Sequence, residues 1–253
     1  MAVDSAIQSD PGARAELRVP VHLGVIMDGN GRWARARGKP RTEGHVAGVK
    51  SLRRLVEFSI NYGLRYVTVF SFSSENWARP RDEVRFIFGL LYRFVASDLE
   101  SLIRNNVQVR IIGMRDGLEP ALQRLIADVE AKTAMNTGLT LVVAFNYGGK
   151  AEIVEATRRI AQAVAAGEMR LDEIDEAAIA HRLYTHGIPD PDVIIRTSGE
   201  QRVSNFLLWQ GAYSELIFVE ENWPDFDERT FLRVLEEYGQ RERRFGGIEA
   251  KVS

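Results

Sequence analysis

Leu23-Gly24-Val25-Ile26-Met27-Asp28-Gly29-Asn30-Gly31 is the stretch on which the reading of this chain turns. Its apolar run predicts a buried strand over 23–27, and an acid followed by two spaced glycines predicts a tight loop at the strand's carboxyl end. Beyond the loop, Val46, Val49, Leu52, Val56 and Ile60 recur every three or four residues, which predicts one face of a helix ending near Gly63. The same alternation continues outward. Apolar strands are predicted over 66–72, 107–112, 139–145 and 193–195, with another starting at Glu215, and helices over 82–105, 119–135, 151–166 and 176–186. The expected fold is a single α/β domain with a mainly parallel central sheet flanked by helices, binding its ligands at the carboxyl ends of the strands. Residues 19–253 contain no linker or repeat, whereas 1–18 are polar, contain Pro11 and Gly12, and are expected to form a disordered tail.

Composition narrows the function. The 253 residues hold 33 Lys and Arg against 35 Asp and Glu, a net charge of −2, so no nucleic-acid or other polyanion partner is expected. With no cysteine, disulfides, thiolate zinc sites and cysteine nucleophiles are excluded. No apolar run approaches the roughly 20 residues that cross a bilayer. The first residues mix acids with arginines where a secretory signal has an uncharged apolar core, so a cytoplasmic location is expected. Arginine outnumbers lysine 28 to 5. A guanidinium fork suits phosphate, but a genome-wide bias accounts for the ratio equally well, so arginines count only where a loop gathers them.

The helix over 82–105 is unusual. Val84, Ile87, Leu91, Phe94, Val95, Leu99 and Leu102 make one stripe, and Phe86, Phe88 and Leu90 widen it beyond a single core face. Either a partner subunit or a greasy ligand would cover the second side.

Three loops concentrate polar chemistry, each directly after a predicted strand. In the first, Gly29 and Gly31 let backbone amides approach an anion, whereas Asp28 would repel a bare phosphate unless a divalent cation lay between them. Gly29, Gly31 and Ala34 also match a dinucleotide-binding fingerprint, but that reading requires an acid at the end of the second strand, which instead reads Phe70-Ser71-Phe72-Ser73-Ser74. A haloacid-dehalogenase-like phosphotransferase would need a second aspartate two positions on, where Asn30 stands. The second loop, Ser73-Ser74-Glu75-Asn76-Trp77-Ala78-Arg79-Pro80, brings together hydroxyls, a carboxylate, an amide and a guanidinium, with helix capping as the alternative use of Ser or Asn there. In the third, running from Arg196 to Asn205, two arginines six apart enclose glycine and hydroxyls and form a polyphosphate cradle by composition. Glu215 is either a second metal carboxylate or a solvated strand end, and His45, near Arg41, either a ligand contact or a capping histidine. Hydrolytic triads and zinc spacings find no support. Basic loops, a lone acid and an apolar lining together imply a substrate with a diphosphate head and a hydrocarbon tail.

At these residues the chain resembles the cis-prenyltransferases, specifically the bacterial isoprenyl transferases. The blocks that carry the resemblance are HLGVIMDGNGRWA (22–34), FSSENWARP (72–80), NYGG (146–149), IRTSGEQRVSNFLLWQ (195–210) and WPDFDE (223–228). The resemblance implies Mg²⁺-dependent condensation of isopentenyl diphosphate with an allylic diphosphate, farnesyl diphosphate being the expected primer, with each new double bond in the Z configuration. The expected product is long, undecaprenyl diphosphate for the cell-wall carrier lipid. A shorter-chain Z-prenyl synthase and a non-catalytic partner subunit are the alternatives.

The resemblance also implies roles. Asp28 would hold the metal, and Asn76 would be the proton acceptor; a neutral amide is a poor base, so Asn76 is read as positioning a diphosphate oxygen or water that takes the proton. Gly29, Asn30, Gly31, Arg32, Trp33, Arg41 and His45 would surround the allylic diphosphate, with Ser73, Ser74, Glu75, Trp77 and Arg79 in the substrate loop. Arg196, Arg202, Val203 and Ser204 would bind isopentenyl diphosphate, and Glu215 would be a second metal carboxylate. The helix over 82–105 would line a hydrophobic tunnel between sheet and helices, left deep by Val49, Val56, Ser71 and Leu139. Gln201 stands where some relatives have histidine, so that histidine's contact does not transfer. Arg244-Phe245-Gly246 matches an element that crosses a dimer interface in relatives, which implies a homodimer, and a greasy product implies peripheral membrane contact.

Overall fold

The computed structural model describes residues 17–241. The tail expected over 1–18, apart from its last two residues, and the Arg244-Phe245-Gly246 element lie outside the described residues. The chain runs β1 (His22–Ile26), α1 (Asn30–Ala36), α2 (Arg41–Asn61), β2 (Tyr66–Ser73), a 3-10 turn (Ser74–Ala78), α3 (Arg81–Arg104), β3 (Gln108–Ile112), α4 (Pro120–Thr133), β4 (Thr140–Tyr147), α5 (Gly149–Ala165), α6 (Glu176–Ala180), β5 (Val193–Arg196), β6 (Glu215–Phe218) and α7 (Glu228–Gly239).

All strand pairings are parallel, in the order β3-β4-β2-β1-β5-β6. Ile26 at the end of β1 pairs with Phe70 on one side and Arg196 on the other. From β1 the chain passes to β2 on one flank and from β5 to β6 on the other, so a crevice opens between the carboxyl ends of β1 and β5. Helices cover both faces, which is why the strands read as continuous apolar runs. Leu23, Val25, Val67, Val69, Leu141 and Val143 join the core shared with α2, α3, α4 and α7. Ile26, Val142, Ala144 and Ile194 join a smaller core with Phe206 and Leu207.

The predicted strands all form, with ends shifted by two residues at most. Three differences concern helices. Gly29 leads into the separate short helix α1, which lies so close to α2 that a Cβ on Gly44 would stand 2.1 Å from the Asn30 carbonyl oxygen. The helix expected over 176–186 stops at Ala180: the backbone N–H of Tyr184 donates to buried Glu152 at 2.8 Å, and Gly187 turns the chain with φ 79. Helix α7 was not foreseen, although Asp227 caps it through Thr230 N at 2.9 Å and Phe231, Val234, Leu235 and Tyr238 mark its buried face.

Candidate active site

A cavity of about 570 Å³ lies over the β1/β5 crevice. Asp28, Gly29, Asn30, Gly31, Arg41, His45, Ser73, Glu75, Asn76, Arg79, Arg196 and Ser204, all expected at the site, line it. Asp28 follows β1, and its backbone is fixed from β5. Its N–H donates to Thr197 Oγ1 at 2.9 Å, its carbonyl accepts from the same hydroxyl at 2.6 Å, and Trp223 N donates to that carbonyl at 2.9 Å. Gly29 turns the chain with φ 101, and a Cβ there would stand 2.4 Å from Asn222 Oδ1, so only glycine suits.

The Asp28 carboxylate accepts from Arg196 Nη2 at 2.7 Å and from Gly29 N at 2.7 Å, with Arg32 at 3.4 Å. Burial pushes its pKa up, but the Arg196 guanidinium, helped by Gly29 N and Arg32, more than reverses this and holds it below the usual carboxylate range. Buried Arg196 also donates to Ser204 Oγ and to the Arg202 carbonyl, each at 2.6 Å. Its Nε, and Oδ1 of Asn30, are buried polar atoms without a partner among the described residues. The loop beyond holds Ser198, Ser204, Asn205 and Leu207 at positive φ. Each is held by its own contacts: Ser198 Oγ meets Asn222, Ser204 meets Arg196, Asn205 meets Lys150 N and Glu75, and Leu207 is fully buried.

On the opposite wall, one oxygen of Glu83 gathers three donors. Arg79 reaches Oε1 at 3.0 Å, His45 at 3.3 Å and Arg41 at 3.4 Å. Burial pushes Glu83 up, but hydrogen bonding from His45 and the two arginine charges hold it low; His45 is lowered chiefly by its own burial. Glu83 was not singled out in the sequence, because a charged residue in a helix's first turn reads as ordinary helix-end electrostatics.

Several expected residues stand elsewhere. Arg32 and Arg202 lie at the rim, both bound to Glu200. Trp33 faces away from the cavity, donating to Asp225 Oδ1 at 2.7 Å with Arg37 stacked 4.4 Å above its ring. Trp77 donates to Asn146 Oδ1 at 2.8 Å and packs on Phe72 and Phe88. Ser74 bonds Glu75, and Val203 accepts from Phe206 N. Asn76 lines the cavity but uses Oδ1 to accept from Ser73 N at 3.1 Å, the capping arrangement weighed for this loop. Glu215 is the clearest departure. It pairs with Val193, three residues down the ladder from Arg196, about 10 Å along the strand, and its Oε2 accepts from Arg241 at 3.0 Å. Within one chain it does not join Asp28, and among the described residues no three acids or histidines form a metal-binding group.

Towards the helices the cavity becomes apolar. Met27, Asn30, His45, Ser71 and Ile87 also line a void of about 80 Å³, walled by Val49, Leu52, Leu90, Leu91 and Phe94. Ile87, Leu90, Leu91 and Phe94, spaced three or four apart, thus turn one face of α3 to this void. Of the other expected tunnel residues, Val56 lines a separate cavity further along, and Leu139 is buried in the core.

Residues 26–246 match the family described as "Putative undecaprenyl diphosphate synthase". The chain is 55% identical over 234 residues to isoprenyl transferase 2 of Bradyrhizobium diazoefficiens, covering 92% of this chain and 93% of that one. To the isoprenyl transferase of Rhizobium meliloti it is 54% identical over 230 residues, 91% and 93% of the two chains. Among solved structures, lavandulyl diphosphate synthase from Lavandula x intermedia, in complex with dimethylallyl diphosphate, superposes with a TM-score of 0.87 at 37% identity, covering 90% of this chain and 98% of that one. A probable undecaprenyl diphosphate synthase from Campylobacter jejuni gives 0.76 at 35%, covering 91% and 100%. Fold, cavity and likeness agree: the chain belongs to the undecaprenyl diphosphate synthase family and is an isoprenyl transferase.

Proposed function

We propose that this enzyme condenses isopentenyl diphosphate with an allylic diphosphate, farnesyl diphosphate as primer, and repeats the step to a long Z-polyprenyl diphosphate, undecaprenyl diphosphate for the cell-wall carrier lipid. The observation that carries this is the cavity itself: arginines with Asp28 and Glu75 at the strand ends, then an apolar void between sheet and helices. That shape suits a diphosphate head and a hydrocarbon tail. The likeness to a synthase bound to dimethylallyl diphosphate supports an allylic diphosphate in this cavity.

Arg196 and Ser204 bind one diphosphate, with Arg202 at the rim; Arg41, His45 and Arg79, oriented by Glu83, bind the other. The allylic C–O bond breaks with its electron pair passing to the departing diphosphate. The double bond of isopentenyl diphosphate attacks the carbon left behind, and a proton leaves to form the new double bond. Asn76, whose oxygen is committed to Ser73 N, orients a diphosphate oxygen or water that accepts this proton. Asp28 offers one oxygen-donor carboxylate facing the cavity, the donor type Mg²⁺ takes when substrate phosphates and water complete its shell. Bound there, Mg²⁺ supplies positive charge to the departing diphosphate.

No helix among the described residues is long and apolar enough to cross a membrane. We place the enzyme in the cytoplasm as a homodimer that touches the membrane peripherally to release its product.

The test is incubation of pure protein with Mg²⁺, farnesyl diphosphate and labelled isopentenyl diphosphate, with Asp28→Ala as control. Z-linked product near eleven isoprene units is expected. A shorter Z product would assign a shorter-chain synthase, and no product with farnesyl or geranyl primers would assign a non-catalytic partner subunit.

A further inference from the structure

Helices α2 and α3, which wall the apolar void, are tied together by charge at both ends. At the head the tie is Glu83 of α3 with Arg41 and His45 of α2. At the far end Arg53 of α2 grips Asp98 of α3: Nε stands 3.0 Å from both carboxylate oxygens, Nη2 lies 2.9 Å from Oδ2, and Nη2 also donates to Ser97 Oγ at 3.2 Å. This second tie lies on a cavity of about 260 Å³ whose other walls include Val56, Ile60, Leu102 and Val107. Phe94 lines both this cavity and the void that opens from the head. It is the partition between them.

Space is the argument. The void that opens from the head is about 80 Å³ and the far cavity about 260 Å³, and both Arg53 and Asp98 line the far cavity. A tail that grows past Phe94 enters this cavity between α2 and α3, and as it fills the space its further growth bears on the ion pair that joins the two helices. We propose that the Arg53–Asp98 ion pair is a strap across the far end of the α2/α3 groove that limits how far the product chain elongates. This rests on the prenyl-transfer reading above. The strap is half-exposed, so its strength is modest. Removing it should raise the ratio of elongation to release by up to about five-fold at the step where the tail reaches it, the equivalent of roughly 1 kcal/mol.

The experiment compares product-length distributions from farnesyl and labelled isopentenyl diphosphate for the unaltered enzyme, Arg53→Ala, Asp98→Ala and the exchanged pair Arg53→Asp/Asp98→Arg, with thermal unfolding measured on each. The single variants are expected to make longer products at near-unaltered melting temperature, and the exchanged pair to return the distribution towards that of the parent. Unchanged or shorter products in both single variants would overturn the strap while leaving prenyl transfer standing. Products as long in the exchanged pair as in the single variants would also overturn it, since charge complementarity would then play no part. No product from the unaltered chain would overturn the condensation reading, and the strap with it.

Discussion

Arg196 Nη2 stands 2.7 Å from Asp28 Oδ2, so the acid that closes β1 is neutralised by a guanidinium from the neighbouring strand β5. A cation is thus already in place where a metal and a diphosphate would meet, and Arg196 keeps a buried Nε without a partner among the described residues. Asp28→Asn keeps the shape but removes the charge. Turnover should fall by roughly 10³-fold, the scale of losing a main electrostatic contributor at a reacting centre, and raised Mg²⁺ should not restore it. Steady-state assays across Mg²⁺ concentration check this; substantial residual Mg²⁺-dependent activity would sink the metal role.

Glu83 orients three donors without itself lining the cavity. Glu83→Ala should raise KM for the allylic diphosphate by about ten-fold, the low end of what loss of an outer-shell partner costs, with a smaller effect on kcat. A kcat loss at constant KM would show that Glu83 acts on the chemical step instead.

Ser71 lies where the polar cavity passes into the apolar void and lines both. Ser71→Leu should fill that passage and shift products to shorter chains, read by chromatography of the dephosphorylated lipids. An unaltered distribution would place the tail on another route.

At the opposite end of the sheet, His22 is buried, with Nδ1 2.6 Å from the Pro189 carbonyl and Nε2 2.7 Å from Thr68 Oγ1. Burial lowers its pKa to about 4. The unfolded chain, with a histidine near 6.5, binds the proton first as pH falls. Its stabilising effect is therefore complete above pH 6.5 and lost between 6.5 and about 4, amounting to about 3 kcal/mol in all and about 2 kcal/mol by pH 5. Urea unfolding at pH 7 and pH 5 should show this drop in the parent and a smaller one in His22→Gln. Equal drops would assign the pH dependence to other groups.

Gly44→Ala places a Cβ against the Asn30 carbonyl. Overpacking of this kind costs about 1–3 kcal/mol, and because α1 carries the glycine loop, activity should fall further than stability does. Parallel melting and turnover measurements separate the two.

The parts legible in the sequence were those whose signal is local. The strand 23–27, its glycine loop and the arginine loop after Ile195 each sit within one short window, and their order along the chain placed them at the same sheet edge. What escaped depends on contacts across the fold. Glu83 meets His45 only once α3 packs on α2. Thr197 meets Asp28 across a separation of 169 residues, and its motif suggested phosphate binding rather than a backbone clip. Asp225 looked like part of a motif, yet it anchors Trp33 and Arg37. Glu215 differs in another way: its identity matched a pattern, but strand register, which a sequence motif does not report, sets it at the amino end of β6, away from Asp28 of the same chain.

The left-handed residues after β5 bear on how this enzyme could be improved. The usual remedy for a non-glycine residue at positive φ is glycine, which relieves local strain of roughly 1 kcal/mol or more. At Ser204 and Asn205 that exchange would discard side chains that hold Arg196 and join the second and third loops, and at Leu207 it would hollow the smaller core. Stabilising substitutions for a hardier catalyst belong elsewhere, because this loop already trades backbone comfort for a fixed Arg196.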